Sequence, residues 1–166
     1  PARGAHTSVP RVLCSRATQS GRKVIGWCVD DSLAPGAIVL LGGSVLAGAG
    51  CVSPANISER ILHSARIYRE EAFGSVASVV EGSSLEEAIA VANDSDFGLG
   101  SAAWTGEGSE ATRFIEDLQA GTVNINGMTI SYPQLPFGGI KRSGYGRELA
   151  AAGIREFCTL KPIWRR

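Results

Sequence analysis

Apolar residues at helical spacing predict three helices along the chain. In residues 15–32 the stripe consists of Val24, Ile25, Cys28, Val29 and Leu33. Residues 84–92 begin with Ser84 and Glu87 in the spacing of a capping box, and an apolar residue follows at every third or fourth position. The third stripe consists of Ala111, Phe114, Ile115 and Leu118. We expect Gly108 or Ser109 to cap this third helix.

Short β-branched and aliphatic runs between these helices predict strands at residues 37–41, 76–80, 99–105 and 122–126. The first run is closed by Gly42 and Gly43, and we expect it to be a buried strand. The order strand, helix, strand, helix, strand predicts an α/β fold with a parallel sheet and right-handed crossovers. Ligands of such sheets bind outside the carboxyl ends of the strands, and the loop of residues 127–143 follows such an end.

The two ends of the chain differ from the predicted α/β region between them. Residues 1–14 are expected to be an irregular segment and residues 15–153 the α/β body, with a short helix near 148–153. Residues 154–166 form a tail, of which 156–164 are strand-like with Pro162 inside. Because proline cannot donate to a β-ladder, the tail is predicted to be an edge strand or an extended arm.

Composition and charge exclude several classes of function. The chain has 166 residues, 16 Lys and Arg against 16 Asp and Glu, and 44% hydrophobic residues. This balance suits a globular domain and gives no electrostatic signature of nucleic-acid binding, and no apolar run is long enough to span a bilayer. The four cysteines show no C-x-x-C pair and only two histidines are present, so we expect no metal site and a cytoplasmic location.

Residues 135–149 (LPFGGIKRSGYGREL) are rich in glycine and cations and suit neither a helix nor a strand. Taken alone, the glycines of this stretch favour a surface loop between a strand and a helix over a ligand-binding loop. The stretch also contains a longer motif, which is a more specific sequence signal than the glycines alone. It consists of Pro136, Phe137, Gly138, Gly139, Lys141, Ser143, Gly144, Gly146, Arg147 and Glu148.

This motif resembles the one near the C-terminus of the NAD(P)-dependent aldehyde dehydrogenase superfamily. Three earlier segments of the chain also match the family, in the family's order. They are Glu70 to Gly74 for the E-E-x-F-G box, Ala92-Asn93-Asp94 with Phe97-Gly98-Leu99, and Gly121-Thr122-Val123 with Asn126. The resemblance covers residues 31–164 and is nearest to the succinate-semialdehyde dehydrogenase branch, in particular its NADP-using bacterial members. It implies that residues 15–153 are the C-terminal part of the catalytic domain and that residues 154–166 are an oligomerisation strand of a homo-oligomer.

The resemblance also implies roles for four residues. Glu71 would accept hydrogen bonds from the nicotinamide ribose of NADP or NAD, and Phe73 would pack beside the nicotinamide. Ser131 and Phe137 would face the substrate, with the Ser131 hydroxyl donating to a substrate carboxylate. A surface acidic pair and a solvated serine are the alternatives for Glu71 and Ser131. Lys141 and Arg142 could likewise be solvated charges or steer an anionic substrate, and Arg147 could pair with Glu148 or cap the next helix.

The family's nucleophile is a cysteine in an N-x-G-Q-x-C setting, with a glutamate general base upstream of it. None of Cys14, Cys28, Cys51 and Cys158 has that setting, and no Rossmann unit precedes residue 37. We therefore expect a fragment that does not oxidise aldehydes alone. In the intact enzyme the resemblance implies thiohemiacetal formation, hydride transfer to NAD(P)+ and hydrolysis to the acid. The alternatives are an aromatic-aldehyde dehydrogenase, suggested by N-G-x-T before P-F-G-G, and a non-catalytic binding or assembly module.

Overall fold

The computed structural model describes residues 19–33, 36–43 and 55–166, and these belong to two compact units, Pro1–Glu81 and Gly82–Arg166. The first unit contains α1 (Gln19–Leu33), β1 (Ile38–Leu41), β2 (Asn56–Glu59), α2 (Arg66–Arg69) and β3 (Val76–Val79). The second contains α3 (Leu85–Asn93), β4 (Phe97–Gly98), β5 (Gly100–Ala103), α4 (Gly108–Asp117), β6 (Thr122–Ile125), β7 (Ile140–Lys141) and α5 (Ala150–Glu156). The irregular segment predicted for residues 1–14 lies outside the described residues.

The apolar stripe of α1 forms part of the interior of the first unit. Ile25, Cys28 and Val29 are at most 4% exposed, which confirms the predicted buried face. Val24 is 41% exposed, so its assignment to that face was wrong. Because a helix turns 100° per residue, Val24 lies at the margin of the face that Ile25, Cys28 and Val29 bury.

The first unit also contains a three-stranded sheet in the order β1-β2-β3. β2 and β3 are parallel, whereas β1 is antiparallel to β2. The prediction that residues 37–41 form a strand is confirmed, but the prediction that this strand is buried is wrong, since Leu40 is 55% exposed. β1 is an edge strand, and the buried cluster consists instead of Cys28, Ile61, Ala65 and Ile67.

In the second unit, β5, α4 and β6 form a strand–helix–strand crossover. β5 and β6 are parallel, with Gly100 opposite Thr122 and Ala103 opposite Ile125. β4 pairs antiparallel with β7, which lies within the glycine-rich residues 135–149. The predicted α/β content is therefore confirmed, whereas the prediction of a purely parallel sheet is wrong: the described sheets are mixed.

The starts of α3 and α4 show two different capping arrangements. The Ser84 hydroxyl accepts from the N–H of Glu87 at 3.2 Å, as predicted. The Glu87 carboxylate accepts from the N–H of Ser83, at 2.7 Å, rather than from that of Ser84. For α4 the N-cap is Glu107, not Gly108 or Ser109, and its side chain makes no capping bond. The Thr105 hydroxyl accepts from the N–H of Glu107 at 3.0 Å, so a residue before the helix satisfies that donor.

Helix α5 begins at Ala150, two residues after the predicted start. Residues 158–166 carry neither helix nor strand in this single chain, and their apolar side chains are exposed, including Leu160, Ile163 and Trp164. The oligomerisation strand therefore stays a prediction. Within the described residues, no helix combines the length and the apolar character that a membrane span requires.

Candidate functional site

The acidic pair of the first unit lies between α2 and β3, and its two members differ. The Glu70 carboxylate forms a double hydrogen bond with the Arg66 guanidinium, at 2.9 and 2.7 Å, which lowers the pKa of Glu70. The side chain of Glu71 is exposed, and no described protein group donates to it. Phe73, two residues later, is 76% exposed. An exposed carboxylate can accept hydrogen bonds from a diol, and an exposed aromatic ring can cover a flat heterocycle.

The glycine-rich loop of the second unit is closed at its base. Phe137 and Glu148 exchange two backbone hydrogen bonds, with N–O distances of 2.8 and 2.7 Å. Inside the loop, one guanidinium nitrogen of Arg147 donates to the carbonyl oxygens of Gly139 and Gly146, at 2.7 and 2.8 Å. Arg147 therefore neither pairs with Glu148 nor caps α5. It holds the two sides of the loop together.

Three consecutive residues attach this loop to the turn between α3 and β4. The ammonium group of Lys141 donates to the carbonyl oxygens of Asn93 and Ser95, at 2.8 and 3.0 Å. These carbonyls lie at the C-terminal end of α3, where a cation is favoured. Arg142 forms an ion pair with Asp96 at 3.2 Å, and the Ser143 hydroxyl accepts from the N–H of Gly98 at 3.0 Å. Lys141 and Arg142 thus have structural partners.

Asn93 extends this attachment to the end of α4. Its side-chain amide donates to the carbonyl oxygen of Asp117 at 2.8 Å and accepts from the N–H of Gln119 at 2.7 Å. One asparagine therefore joins the ends of α3 and α4, and its own carbonyl receives Lys141. The A-N-D…F-G-L match and the glycine-rich match, far apart in sequence, are one connected structure.

Two hollows of the second unit meet at Phe137. The smaller, about 210 Å³, is bounded by β6 and by residues 130–137, with Ile130, Tyr132 and Phe137 in its wall. The larger, about 810 Å³, lies on the glycine-rich loop and α5, with Phe137, Tyr145 and Phe157 in its wall. Ser131 is exposed and stands between Ile130 and Tyr132, outside both walls. The structure thus brings Phe137 and the neighbours of Ser131 around one apolar hollow.

Asn124, in the wall of the smaller hollow, and Thr129 make contacts that no sequence pattern predicted. The Asn124 amide donates to the hydroxyl of Thr129 at 3.2 Å. Both residues belong to the run N-I-N-G-M-T (residues 124–129). An amide and a hydroxyl five residues apart, with a glycine turn between them, are the sequence signal that could have identified the pair.

Burial makes Cys28 a poor candidate for a nucleophile. Cys28 is 2% exposed, and burial raises the pKa of its thiol, although Arg66 opposes that shift. A raised pKa lowers the thiolate fraction that nucleophilic attack requires. Cys158 is exposed in the chain after α5, and Cys14 and Cys51 lie outside the described residues. No group of three or more His, Cys, Asp or Glu side chains that could hold a metal ion occurs in the described part of the chain.

The sequence matches the family model described as "Aldehyde dehydrogenase family" over residues 13–163. Among curated proteins, NADP+-dependent succinate-semialdehyde dehydrogenase 1 of Mycobacterium ulcerans is 54% identical over 148 residues, which are 89% of this chain and 32% of that protein. The corresponding enzyme of Mycobacterium avium is 52% identical over the same share of this chain and 31% of its own length. The chain therefore spans about a third of the length of the curated relatives it matches.

Solved structures show the same relationship. Succinic semialdehyde dehydrogenase from Streptococcus pyogenes, determined with NADP+ as the cofactor, superposes with a TM-score of 0.81 at 34% identity, over 89% of this chain and 32% of that one. Betaine aldehyde dehydrogenase from Staphylococcus aureus, in complex with NAD+, gives a TM-score of 0.80 at 33% identity over 89% and 30%. The two units described above are thus similar in fold to parts of enzymes that bind nicotinamide dinucleotides.

Proposed function

The chain belongs to the aldehyde dehydrogenase family, and we propose that it is the part of an NAD(P)-dependent succinate-semialdehyde dehydrogenase that supplies a cofactor contact and one wall of the substrate pocket. The reaction converts aldehyde, water and NAD(P)+ into carboxylic acid, NAD(P)H and a proton. The observation that carries the substrate assignment is the position of the exposed Ser131 between Ile130 and Tyr132, which both line an apolar hollow. A short aliphatic chain would lie against Ile130 and Phe137 while the hydroxyl donates to its distal carboxylate.

NADP+, or NAD+ in its place, would act as the hydride acceptor, and the residues of the first unit fit its ribose end. The Glu71 carboxylate can accept from both ribose hydroxyls because no described donor engages it. Phe73 presents an exposed ring that can cover one face of the nicotinamide and exclude water from it. The use of NADP+ by the relatives supports this cofactor for the present chain.

The remaining parts of the proposal concern the chain as a piece of an enzyme. We infer that the reactive thiol and its general base belong to other parts of the enzyme, because neither described cysteine has the setting of a nucleophile. We also infer that residues 154–166 pair with a second subunit, since their apolar side chains are exposed in the single chain. Residues 1–166 alone are therefore expected to produce no NAD(P)H from any aldehyde.

An aromatic aldehyde is the second candidate substrate, because Tyr132 and Phe137 both line the smaller hollow. Aromatic side chains pack well against an aromatic substrate. A hollow of about 210 Å³ bounded by two rings and Ile130 suits a flat ring as readily as a four-carbon chain. The two candidates differ at the distal end of the substrate, which is charged in succinate semialdehyde and apolar in benzaldehyde.

A chimera tests the proposal. Residues of this chain that match the Mycobacterium ulcerans enzyme would replace the corresponding third of that enzyme, and NADPH formation would be followed with succinate semialdehyde and with benzaldehyde. We expect preference for succinate semialdehyde, and a rise of KM in Ser131→Ala for this substrate but not for butyraldehyde, which lacks the carboxylate. A preference for benzaldehyde would favour the second candidate. A folded chimera without activity would support a non-catalytic module.

A further inference from the structure

A small cycle of hydrogen bonds surrounds the start of residues 130–137, the segment proposed to face the substrate. The Asn124 amide donates one hydrogen to the carbonyl oxygen of Ser101 at 3.0 Å and the other to the hydroxyl of Thr129 at 3.2 Å. The hydroxyl of Thr129 in turn donates to the same Ser101 oxygen, at 3.3 Å. Asn124 and Ser101 belong to the paired strands β6 and β5, so the cycle connects Thr129 to the sheet itself.

The methyl group of Thr129 makes a second, steric contact with the sheet. It lies over Gly100, where an added Cβ would be 2.6 Å from the Thr129 methyl carbon and 3.2 Å from its hydroxyl oxygen. A side chain at position 100 would therefore displace Thr129. Glycine at 100 and threonine at 129 fit together independently of the hydrogen bonds, which places both halves of the Thr129 side chain in contact with strand β5.

Ser131 depends on this attachment for its position. No described group makes a hydrogen bond with its side chain, and the residue is exposed. The segment is held again only further along, where the carbonyl of Pro133 accepts from the N–H of Ala150 at 3.1 Å and Phe137 pairs with Glu148. Thr129 is therefore the anchor on the N-terminal side of Ser131, two residues away.

We propose that Asn124 and Thr129 are positioning residues that fix the substrate-facing segment on the sheet and thereby set where the Ser131 hydroxyl meets the carboxylate of an aldehyde acid. The inference rests on the proposed function only in naming the segment's ligand. Thr129 does not line the smaller hollow, whereas Asn124 does, and its bond to Thr129 is the contact that gives it a positioning role. Each acts through the backbone between Thr129 and Ser131. The cycle also gives the threonine of the N-G-x-T stretch a structural role, so this stretch need not indicate an aromatic substrate.

Backbone order in the complete 166-residue chain, measured by ¹⁵N relaxation, tests the attachment. Thr129→Val keeps the shape and the methyl contact but removes the hydroxyl, whereas Thr129→Ser keeps the hydroxyl and removes the methyl group. In Thr129→Val we expect the order parameters of the Ile130 and Ser131 amides to fall from about 0.85 to below about 0.6. Thr129→Ser is expected to retain most of the order, and the matched control Thr159→Val, in the exposed tail, to change nothing there.

Unchanged order parameters in Thr129→Val would overturn the inference, as would an equal loss in Thr129→Ser. If Thr129→Val does not fold, Asn124→Ala decides in its place, with the same loss expected at Ile130 and Ser131. The order parameter of Ala103, within β5, should stay constant in every variant and separates local release from general unfolding. No aldehyde or nicotinamide enters this measurement, so an inactive chimera would refute the proposed function and leave the positioning result standing.

Discussion

The two units of the chain are stabilised in different ways. Among the described residues of the first, six apolar side chains are at most 8% exposed: Ile25, Cys28, Val29, Ile61, Ala65 and Ile67. In the second only Ile89 and Ala103 reach that level among the described residues. The second unit has side chains bonded to main-chain carbonyls, as in Lys141 and Arg147, and more glycines in close contact with backbone than the described part of the first unit, where Gly42 is one.

This difference indicates which substitutions each unit tolerates. A unit held by apolar burial loses stability in proportion to the volume removed from its interior. A unit held by backbone contacts and side-chain hydrogen bonds is most sensitive to two kinds of substitution. One adds an atom at a close backbone contact, and the other removes a hydrogen-bond donor. The second unit also contains the segment proposed to face the substrate. Its polar anchors therefore lie where the position of the backbone matters more for substrate binding than for the stability of the fold.

The largest effect is expected for Gly121→Ala in the second unit. A Cβ at this position would overlap the carbonyl oxygen of Gly138, a backbone atom that cannot rotate away. We expect a loss of more than about 4 kcal/mol in the free energy of unfolding, measured by denaturant titration. Gly106→Ala is the matched control, because nothing lies within 4 Å of its added Cβ. A stable Gly121→Ala protein would contradict the close contact described for this unit.

A smaller effect is expected for Ile61→Ala in the first unit. Ile61 is 4% exposed and belongs to the buried cluster with Cys28, Ala65 and Ile67. Truncation removes three buried carbons and leaves a cavity, which costs about 3 kcal/mol. The neighbouring Leu62, 48% exposed, provides the control Leu62→Ala, for which less than about 1 kcal/mol is expected. Equal losses at the two positions would show that burial does not stabilise this unit.

Ser58→Ala is expected to stabilise the first unit. Ser58 is fully buried in β2, and its hydroxyl has no hydrogen-bond partner among the described residues. Removing an unsatisfied buried hydroxyl relieves a desolvation cost and should raise the free energy of unfolding by about 1 kcal/mol. Ser78, opposite Ser58 on β3, is exposed, and Ser78→Ala is the control with no expected change. Destabilisation by Ser58→Ala would reveal a bond at this hydroxyl.

The smallest effect concerns pH and the start of α3. Hydrogen bonds from the hydroxyl and the N–H of Ser83 lower the pKa of the Glu87 carboxyl in the folded chain. A group whose pKa is lowered by folding stabilises the protein above its unfolded pKa of about 4.3, and the contribution disappears as pH falls through the folded value. We expect the melting temperature of Glu87→Gln to be below that of the unaltered chain at pH 7 and to equal it near pH 3.

The control is Glu116→Gln on α4, whose carboxylate has no described partner. Its melting temperature should differ little from that of the unaltered chain across the same pH range. A pH-independent difference for Glu87→Gln would contradict the role assigned to the Ser83 hydrogen bonds.

The features predicted correctly from sequence depend on neighbours along the chain. Ser84 caps α3 because its partner, the N–H of Glu87, is three residues away and any helix starting there presents it. The buried face of α1 follows from helical spacing, which brings Ile25, Cys28 and Val29 to one side. The helix and strand segments were mostly predicted for the same reason.

The features that were missed depend on contacts between distant residues. The exposure of β1 is a consequence of its place at the edge of a sheet, which its apolar sequence does not encode. Lys141 was open to interpretation as a solvated charge because its acceptors at Asn93 and Ser95 lie more than forty residues earlier. Likewise the roles of Asn124 and Thr129 require the pairing of β5 with β6, which brings Ser101 beside them.

The two backbone hydrogen bonds between Phe137 and Glu148 close residues 138–147 into a short loop. Closing so short a stretch costs little chain entropy, and it can form before the distant segments to which it later attaches. Its interior sequence could therefore be exchanged for that of another relative as one block, provided that the two closing positions, Arg147 and the residues that contact other segments are kept, namely Gly138, Lys141, Arg142 and Ser143. Such exchanges would alter the lining of the larger hollow while leaving the crossover of β5 and β6 undisturbed.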